Sequence, residues 1–386
     1  IAYTELVGEL SPGDQVWLNL RALTLGLGTG GVAFVVAPAA EREPPTRPSD
    51  ARHSAPTGPV SPPAPSASWP VLAEPTPNAS ASEDSGYLVK ARYTPLQVVT
   101  RGVDSPRSPH HDTLQRAESL DAMPIVVADL HSSLAPICAA IVRDAAASPG
   151  PAPRLAYVMT DGAALPLAFS RAVASLVARG VIAATITAGQ AFGGDFEAVS
   201  LHSALLTAKH VAGADITICV QGPGNLGSDT PWGFSGVAVG DAVNAVSVLG
   251  GQPIGCLRIS GADRRPRHRG LSHHSLTAYG RVALAPADLA LPIFTGDLAA
   301  LGEAVELAAQ PLAARHRLVP VPLDGLMEAL QGTPGLSTMG RSLAQDPAAF
   351  LAAAAAGRLA LSTLAHRSAA DRSDPPSAKR GDIAAV

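Results

Sequence analysis

The spacing of apolar residues differs between two regions of the chain. Residues 1–37 and 87–100 contain short runs in which apolar and polar positions alternate, as in "QVWLNLR", and this pattern predicts a small β-barrel-like domain. From residue 122 onward the apolar runs are nearly continuous, and helical periodicity separates several of them. Strands that are apolar on both faces and alternate with helices predict a doubly wound, mostly parallel, Rossmann-like α/β domain over residues 122–365. The runs are "PIVVADL", "RLAYVMT", "IAATITA", "ITICVQ", "PIGCLRIS" and "RLVPVPL".

Three further segments have a composition of their own. Residues 38–86 consist mainly of Pro, Ser, Ala and Thr, so they cannot bury enough apolar surface to offset the entropy of ordering, and we predict a disordered insertion. Residues 101–121 are interpreted as a connector, and residues 366–386 as a disordered tail. The glycines of "GLGTGG" at 26–31 precede a strand-like run instead of a helix, which favours bends in the barrel over a dinucleotide loop.

Composition narrows the class of protein. The 386 residues are 47% hydrophobic and 16% charged, which allows a sizeable core, and the net charge of −4 argues against nucleic-acid binding. Cys138, Cys219 and Cys256 lie in separate apolar segments without CxxC spacing, which predicts reduced core thiols in a cytoplasmic protein. The sequence contains no stretch of 18 uncharged apolar residues, so we do not expect a membrane span.

Polar residues follow five of the predicted strands. Ligands of parallel α/β sheets bind beyond the carboxyl ends of the strands, so we expect these residues to meet in one crevice. In strand order they are Asp129 and His131; Asp161; Gln190, Gly193, Gly194 and Asp195; Gly222, Gly224, Asn225 and Gly227; and Arg258, Arg267, Arg269, His273 and His274.

Asp129 and His131 suggest a metal site. Residues two apart on an extended strand end face the same side, so this carboxylate and imidazole are candidate ligands of a divalent ion. Asp161, Asp195, His273 and His274 are candidate further ligands, and His110, His111 and Asp112 are weaker candidates. Two alternatives remain open, because His131 can equally start the next helix and Asp161 can cap one. No HExxH motif or Cys/His spacing supports the metal interpretation.

The loop "GPGNLG" at 222–227 matches a dinucleotide fingerprint after a good strand. Pro231 blocks an immediate helix, however, and no acidic residue ends the next strand, so a looser anion-binding loop is the better interpretation.

The run "RRPRHRGLSHHS" at 264–275 has three possible roles: a phosphate or carboxylate clamp, a solvated loop, or an RNA contact. The scarcity of aromatic residues nearby disfavours RNA. Its three histidines match no standard metal spacing, so we expect anion-binding arginines and one proton-transferring histidine, either His273 or His274.

Four long stretches resemble a mainly actinobacterial bacterial family catalogued as a domain of unknown function. They are "YVMTDGAALPLAFSR", "TAGQAFGGDFEAV", "VQGPGNLGSDTPWGFSGVAVGDAVNA" and "RPRHRGLSHHSLTAYGRVALA". The resemblance covers nearly the whole chain except the Pro/Ser insertion and the tail, and it implies no activity, cofactor or site residue.

These observations lead to one functional expectation and two alternatives. We expect a hydrolase that acts on a small anionic or phosphorylated metabolite, in which Asp129, His131 and Asp161 serve as metal ligands or as general acid and base groups. The first alternative is a non-catalytic regulatory module that binds a nucleotide or metabolite in the same crevice. The second is a structural partner protein, and homo-oligomerisation remains open.

Overall fold

The computed structural model describes residues 1–25, 32–39 and 87–373. The predicted disordered insertion at 38–86 is wrong at Pro38, which ends a strand. The remainder of that prediction from residue 40, the tail from residue 374 and the glycines at 26–31 lie outside the described residues. The chain divides into two compact units, which comprise residues 1–85 with 91–99, and residues 86–90 with 100–386.

The first unit is small. Its described elements are α1 (Thr4–Val7), β1 (Val16–Asn19), α2 (Arg21–Thr24) and β2 (Phe34–Pro38). Strands β1 and β2 pair antiparallel, and Phe34 is buried and stacks on Tyr3 with ring centroids 6.0 Å apart. Leu18 and Leu20, which alternate with polar residues in the sequence, are both exposed. Strands β3 (Tyr87–Lys90), which belongs to the second unit, and β4 (Val98–Arg101), which spans a division point of the chain, form another two-stranded sheet. The described residues therefore contain two short sheets here, and the predicted barrel is not confirmed.

The second unit holds the strands and helices that follow. The strands are β5 (Pro124–Ala128), β6 (Leu155–Thr160), β7 (Ala184–Thr187), β8 (Phe196–Glu197), β9 (Ile216–Gln221), β10 (Gln252–Cys256), β11 (Ile259–Ser260), β12 (Gly270–Leu271), β13 (Asp288–Pro292), β14 (Arg317–Val321), β15 (Ser337–Thr338) and β16 (Arg341–Ser342). The helices are α3 (His111–Arg116), α4 (Leu134–Ala146), α5 (Arg171–Ala178), α6 (Leu201–His210), α7 (Ala238–Val248), α8 (His273–Thr277), α9 (Ala299–Ala309), α10 (Leu326–Gln331) and α11 (Pro347–Ser373).

Eight of these strands form one sheet in the order β14-β13-β10-β5-β9-β6-β7-β8. All of its pairings are parallel, which confirms the predicted parallel sheet. After β5 the chain crosses to β6, returns to place β9 beside β5, and then continues on the other side of β5 with β10. The strand order thus reverses around β5, which creates the switch point where ligands of such sheets bind.

Helices cover both faces of the sheet. Successive side chains of a strand point to opposite faces, and β5 is buried on both of them. Ile125 and Val127 pack in a core cluster with residues of α6 and α7, whereas Val126 and Ala128 pack in a second cluster with residues of α4 and α5. The doubly wound α/β architecture predicted from the continuous apolar runs is therefore confirmed.

Helix α11 is a long apolar core element. Its segment Pro347–Arg367 is long and apolar enough to cross a membrane, judged by length and composition alone. However, 61% of its apolar stretch is buried inside the protein. The helix packs against α4 and against the central strands, and Nε of Arg358 lies 2.6 Å from Oδ2 of Asp144 on α4. The predicted disordered tail from residue 366 is wrong for residues 366–373, which continue this helix.

The three cysteines are buried and free, in agreement with the prediction of core thiols. Burial raises the pKa of each thiol, Cys138, Cys219 and Cys256, to about 12. Such thiols are protonated and poor nucleophiles, so they have a packing role.

Candidate functional site

The carboxylate of Asp129 lies at the centre of the switch point. Asp129 follows β5 directly, and Arg258 follows β10 by two residues. The buried carboxylate has three side-chain partners: Nδ1 of His274 is 2.9 Å from Oδ2, NH1 of Arg258 is 3.3 Å from Oδ2, and Nδ2 of Asn225 is 3.3 Å from Oδ1. Gln221 at the end of β9 donates to the backbone oxygen of Asp129 at 2.9 Å. Three adjacent strands therefore build one polar cluster.

Asp129 is held as an ionised group in a fixed position. Burial raises the pKa of Asp129, but the hydrogen bond from His274 and the charge of Arg258 lower it by more, so the net direction is downward. A Cβ atom on Gly236 would lie 2.9 Å from Cγ of Asp129, so a glycine is required for this close approach. Nδ1 of His274 is also 2.8 Å from NH1 of Arg258. We assign the Nδ1 proton to the bond with Asp129, because an ionised carboxylate only accepts and Arg258 can donate to the same Oδ2.

A short hairpin brings the histidine run back to this cluster. Strands β11 and β12 pair antiparallel after Arg258, and the N–H of Ser272 donates to the Arg258 carbonyl at 2.9 Å. Ser272 caps α8, because its Oγ accepts from the N–H of His274 at 3.2 Å. The same Oγ lies 2.8 Å from Nδ1 of His268. The hairpin and the cap therefore bring His268, His273 and His274 together.

The three imidazoles pack directly against one another. Their ring centroids are 4.9 Å apart for His268 and His273, 4.8 Å for His268 and His274, and 4.6 Å for His273 and His274. Phe234 stacks on His274 at 3.6 Å with an interplanar angle of 9°, which fixes that ring. One ring nitrogen of each histidine lies within 4.8 Å of the other two. In the part of the chain that the structure describes, this is the one group of three or more possible metal ligands that converges in this way.

Two of these histidines are poorly basic. Burial lowers the pKa of His268 to about 3, and the charges of Arg258 and Arg265 add to the effect. Burial likewise lowers the pKa of His273, with further lowering by the charges of His274 and Arg267. Both rings are therefore neutral near pH 7, and each has a nitrogen lone pair available. Nε2 of His273 is buried and has no hydrogen-bond partner among the described residues.

A cavity of about 150 Å³ opens beside the histidines. Three arginines contribute to its wall, and each has a carboxylate partner: Arg258 pairs with Asp129, Arg265 with Asp263, and Arg267 with Asp229. Nε of Arg267 is nevertheless buried without a hydrogen-bond partner among the described residues. The lining residues are Asn225, Leu226, Gly227, Asp229, Thr230, Gly233, Arg258, Arg265, Arg267, His268, His273, His274 and Met339.

Part of the sequence-predicted site is found at this cavity. The predicted residues that line it are Asn225, Gly227, Arg258, Arg267, His273 and His274. Asp129 contacts the lining through His274 and Arg258. Gly222 and Gly224 belong to the same loop but do not line the cavity, and Arg269 is exposed and also outside the lining.

The other predicted residues have different partners. His131 starts a short 3-10 turn before α4, and its Nε2 lies 2.6 Å from Oγ of Ser170. Asp161 accepts from the N–H of Gln190 at 2.8 Å, and Asp195 accepts from the N–H of Thr185 at 2.9 Å. The converging histidine group includes His273 and His274, two of the candidate ligands from the sequence, but not Asp129, His131 or Asp161, which were the leading candidates.

The loop after β7 also makes local contacts, with residues of β7 and β8. The N–H of Gly193 donates to Oε1 of Glu197 at 2.7 Å, and Gly194 packs closely on the carbonyl oxygen of Thr185. The expectation that five strand ends meet in one crevice is not confirmed, since no residue of the loops after β6 and β7 lines the cavity. Because β9 lies between β5 and β6, β6 is two strands and roughly 10 Å away from β5, and β7 is farther still.

Sequence reasoning did not single out several residues of the cavity. His268 and Arg265 were considered only as members of the run at 264–275, its three histidines and its possible anion clamp, and were not named among the expected site residues. Met339 lines the cavity and Phe234 stacks on His274 beside it, and both come from loops that the sequence analysis did not connect to the site.

The fold and the site define a doubly wound α/β protein with a cavity rich in arginine and histidine at the switch point of its sheet. The chain belongs to the family described as protein of unknown function DUF3866, whose model matches residues 1–357. Comparison with curated proteins and with solved structures gives no match for the chain.

Proposed function

We propose that this protein is a hydrolase that acts on a small anionic, phosphorylated metabolite bound in the switch-point cavity. The observation that carries the proposal is the buried Nε of Arg267, which has no hydrogen-bond partner among the described residues. A guanidinium N–H can only donate, so this position calls for an acceptor atom from a ligand. Phosphate oxygens match the planar fork of arginine, and hydrogen bonds between such charged groups are the strong ones.

Arg267 is also the arginine that an incoming anion can most easily engage. Its partner Asp229 has a side chain that is 76% exposed, whereas those of Asp129 and Asp263 are 8% and 4% exposed. An exposed ion pair is worth about 0–1 kcal/mol, so a phosphate can replace Asp229 at little cost. Removing the arginine from Asp129 or Asp263 would leave a buried carboxylate unpaired, which is far less favourable.

The cavity size favours a small ligand. Its volume of about 150 Å³ lies below the roughly 300–1,000 Å³ typical of pockets for drug-sized molecules. A phosphoryl group with a short attachment is therefore a better match than a whole dinucleotide.

Hydrolysis is supported by the pairing of Asp129 with His274. In the neutral tautomer whose Nδ1–H donates to the carboxylate at 2.9 Å, Nε2 carries the lone pair. A nitrogen oriented in this way activates water either by accepting its proton or by holding a metal ion. The water oxygen then bonds to phosphorus, the ester P–O bond breaks, and the leaving oxygen takes up a proton.

The experiment compares the wild type with Arg267→Ala and with Arg264→Ala, an exposed arginine of the same loop outside the cavity lining. Calorimetry with inorganic phosphate should show binding that Arg267→Ala weakens about tenfold or more, because a hydrogen bond to a charged group is worth about 1.5–3 kcal/mol. Arg264→Ala should bind as the wild type does.

Turnover of p-nitrophenyl phosphate separates the two functional classes. Release of nitrophenol by the wild type, reduced in Arg267→Ala, supports a hydrolase. Phosphate binding without turnover of this or other small phosphate esters would instead support the alternative function, a non-catalytic regulatory module that binds a metabolite. A wild-type protein that does not bind phosphate would contradict the proposal.

A further inference from the structure

We propose that His268, His273 and His274 together hold a divalent transition-metal ion at the wall of the cavity. Three imidazoles suit zinc, although cobalt and nickel accept the same ligands. The binding of the ion stands independently of any reaction. Its use, which is to activate the attacking water, rests on the function proposed above.

The geometry needs little adjustment to close around an ion. The three ring nitrogens lie within 4.8 Å of one another. Zinc–nitrogen bonds of about 2.0–2.1 Å place tetrahedral ligand atoms roughly 3.4 Å apart. The ring nitrogens therefore need to approach one another by about 1.5 Å or less to bind the ion. Two of the rings are already fixed by the hairpin cap and by the stacked Phe234.

The outer partners of the rings match those of metal-bound histidines. Such histidines commonly donate their second nitrogen to a carboxylate or another oxygen, which fixes the tautomer and the ring orientation. Nδ1 of His274 lies 2.9 Å from the Asp129 carboxylate, and Nδ1 of His268 lies 2.8 Å from Oγ of Ser272. Both rings then leave Nε2 for the ion.

His273 supplies an independent observation. Its Nε2 is buried and has no hydrogen-bond partner among the described residues, although buried polar atoms usually have one. A metal ion beside His268 and His274 would satisfy this atom, which neither neighbouring imidazole does in the structure.

The positive charge of the arginines beside the histidines is partly balanced by carboxylates. The three arginines of the wall are paired with carboxylates, namely Arg258 with Asp129, Arg265 with Asp263, and Arg267 with Asp229. Three protein ligands leave one position open on a tetrahedral ion, as in catalytic zinc sites. Because the histidines and Arg267 line the same cavity, the ion would hold the attacking water at that position while Arg267 would bind a phosphoryl oxygen.

The test titrates the chelator-treated full-length chain with Co²⁺ alone and follows the visible absorption of tetrahedral cobalt. The matched variants are His273→Ala and His202→Ala, since His202 is an exposed histidine of α6 outside the converging group. We expect one Co²⁺ per chain in the wild type and in His202→Ala, and binding weakened by more than about tenfold in His273→Ala. No binding by the wild type, or equal binding by the two variants, would overturn the proposal.

A second measurement needs no variant. Long-range ¹H–¹⁵N spectra of histidine-labelled wild type should show three imidazoles shifting on addition of Zn²⁺, and shifts confined to other histidines would contradict the site. Neither metal experiment involves phosphate or turnover. A chain that binds the metal but neither binds phosphate nor hydrolyses esters would therefore refute the proposed function and leave the metal site standing.

Discussion

The carboxylate of Asp129 lies 2.9 Å from Nδ1 of His274, although 145 residues separate the two in sequence. The contact joins the end of β5 to the first turn of α8, and it exists because β10 is the direct neighbour of β5 and the β11–β12 hairpin turns the chain back. This pair connects the centre of the sheet to the histidine group and makes Asp129 a positioning residue for His274.

Asp129→Asn should weaken metal binding without removing a ligand. The amide is uncharged and accepts more weakly, so it no longer fixes the ring orientation of His274, and loss of such an outer partner typically costs 10–100-fold in affinity. Co²⁺ titration measures the affinity, and histidine ¹⁵N spectra report the His274 tautomer, which a purely structural defect would not change. Asp161→Asn should retain wild-type affinity. Equal loss of affinity in both variants would instead favour Asp129, His131 and Asp161 as the ligands, and an unaffected Asp129→Asn would contradict the positioning role.

Gly236→Ala should disturb the same pair without changing any charge. The new Cβ would lie 2.9 Å from Cγ of Asp129, and the carboxylate cannot retreat without lengthening its bonds to His274 and Arg258. We expect both a lower melting temperature and weaker Co²⁺ binding. Gly332→Ala is the control, because the Cβ there meets its nearest atoms at 3.7 Å, an ordinary contact. Equal behaviour of the two variants would show that Asp129 is not held as tightly as described.

Lys90→Met should strongly destabilise the second unit. The buried Nζ lies 2.7 Å from Oε2 of Glu197 and also donates to the carbonyls of Thr187 at 3.1 Å and Ala191 at 2.6 Å. Removing the ammonium leaves a buried carboxylate unpaired, which costs about 3–5 kcal/mol. Urea unfolding measures the free energy. Lys209→Met on α6 serves as the comparison, and a loss below about 1 kcal/mol in Lys90→Met would contradict the role of this ion pair.

Acidification should destabilise the protein partly through His316. Its buried Nδ1 accepts from the N–H of Ala287 at 3.1 Å, and its Nε2 donates to the carbonyl of Tyr279 at 2.7 Å, so the neutral ring is the one that fits. Burial lowers the pKa of His316, partly offset by the hydrogen bond to Tyr279. The unfolded chain, with a His pKa of about 6.5, then binds the proton first, and stability is lost as the pH falls below that value.

The pH prediction is checked by urea unfolding at several pH values for the wild type and His316→Gln. Since the variant cannot titrate at this position, its free energy of unfolding should fall less steeply on acidification. Parallel pH profiles for the two proteins would exclude His316 as a contributor.

The apolar runs predict the sheet strands well because a parallel strand buried on both faces must be apolar at every position. The apolar runs do not predict the order of the strands in the sheet. Only the structure shows that β9 lies beside β5, and this separates Asp161 and Gln190 from Asp129 although all three follow strands. The alternating run around Leu18 was misleading for the opposite reason, since a strand of a small two-stranded sheet can leave its apolar residues exposed.

The candidate site was predictable only in part. Asp129 and His274 were recognisable as polar residues after buried strands, but their pairing depends on the hairpin that follows β10. His268 belongs to the recognised histidine run, but it was not predicted as a ligand because the spacing of that run matches no metal motif. Its ring reaches the others through a 3-10 turn at Pro266–His268 and the Ser272 cap, and neither produces a recognisable ligand spacing.

Anomalous diffraction from crystals of the full-length chain grown with Zn²⁺ tests the central claim most directly. Data collected on either side of the zinc absorption edge locate the ion without reference to the protein atoms. The account predicts one strong peak about 2.0–2.1 Å from a ring nitrogen of each of His268, His273 and His274. Strong zinc peaks elsewhere on the molecule, with none between these three rings, would contradict it.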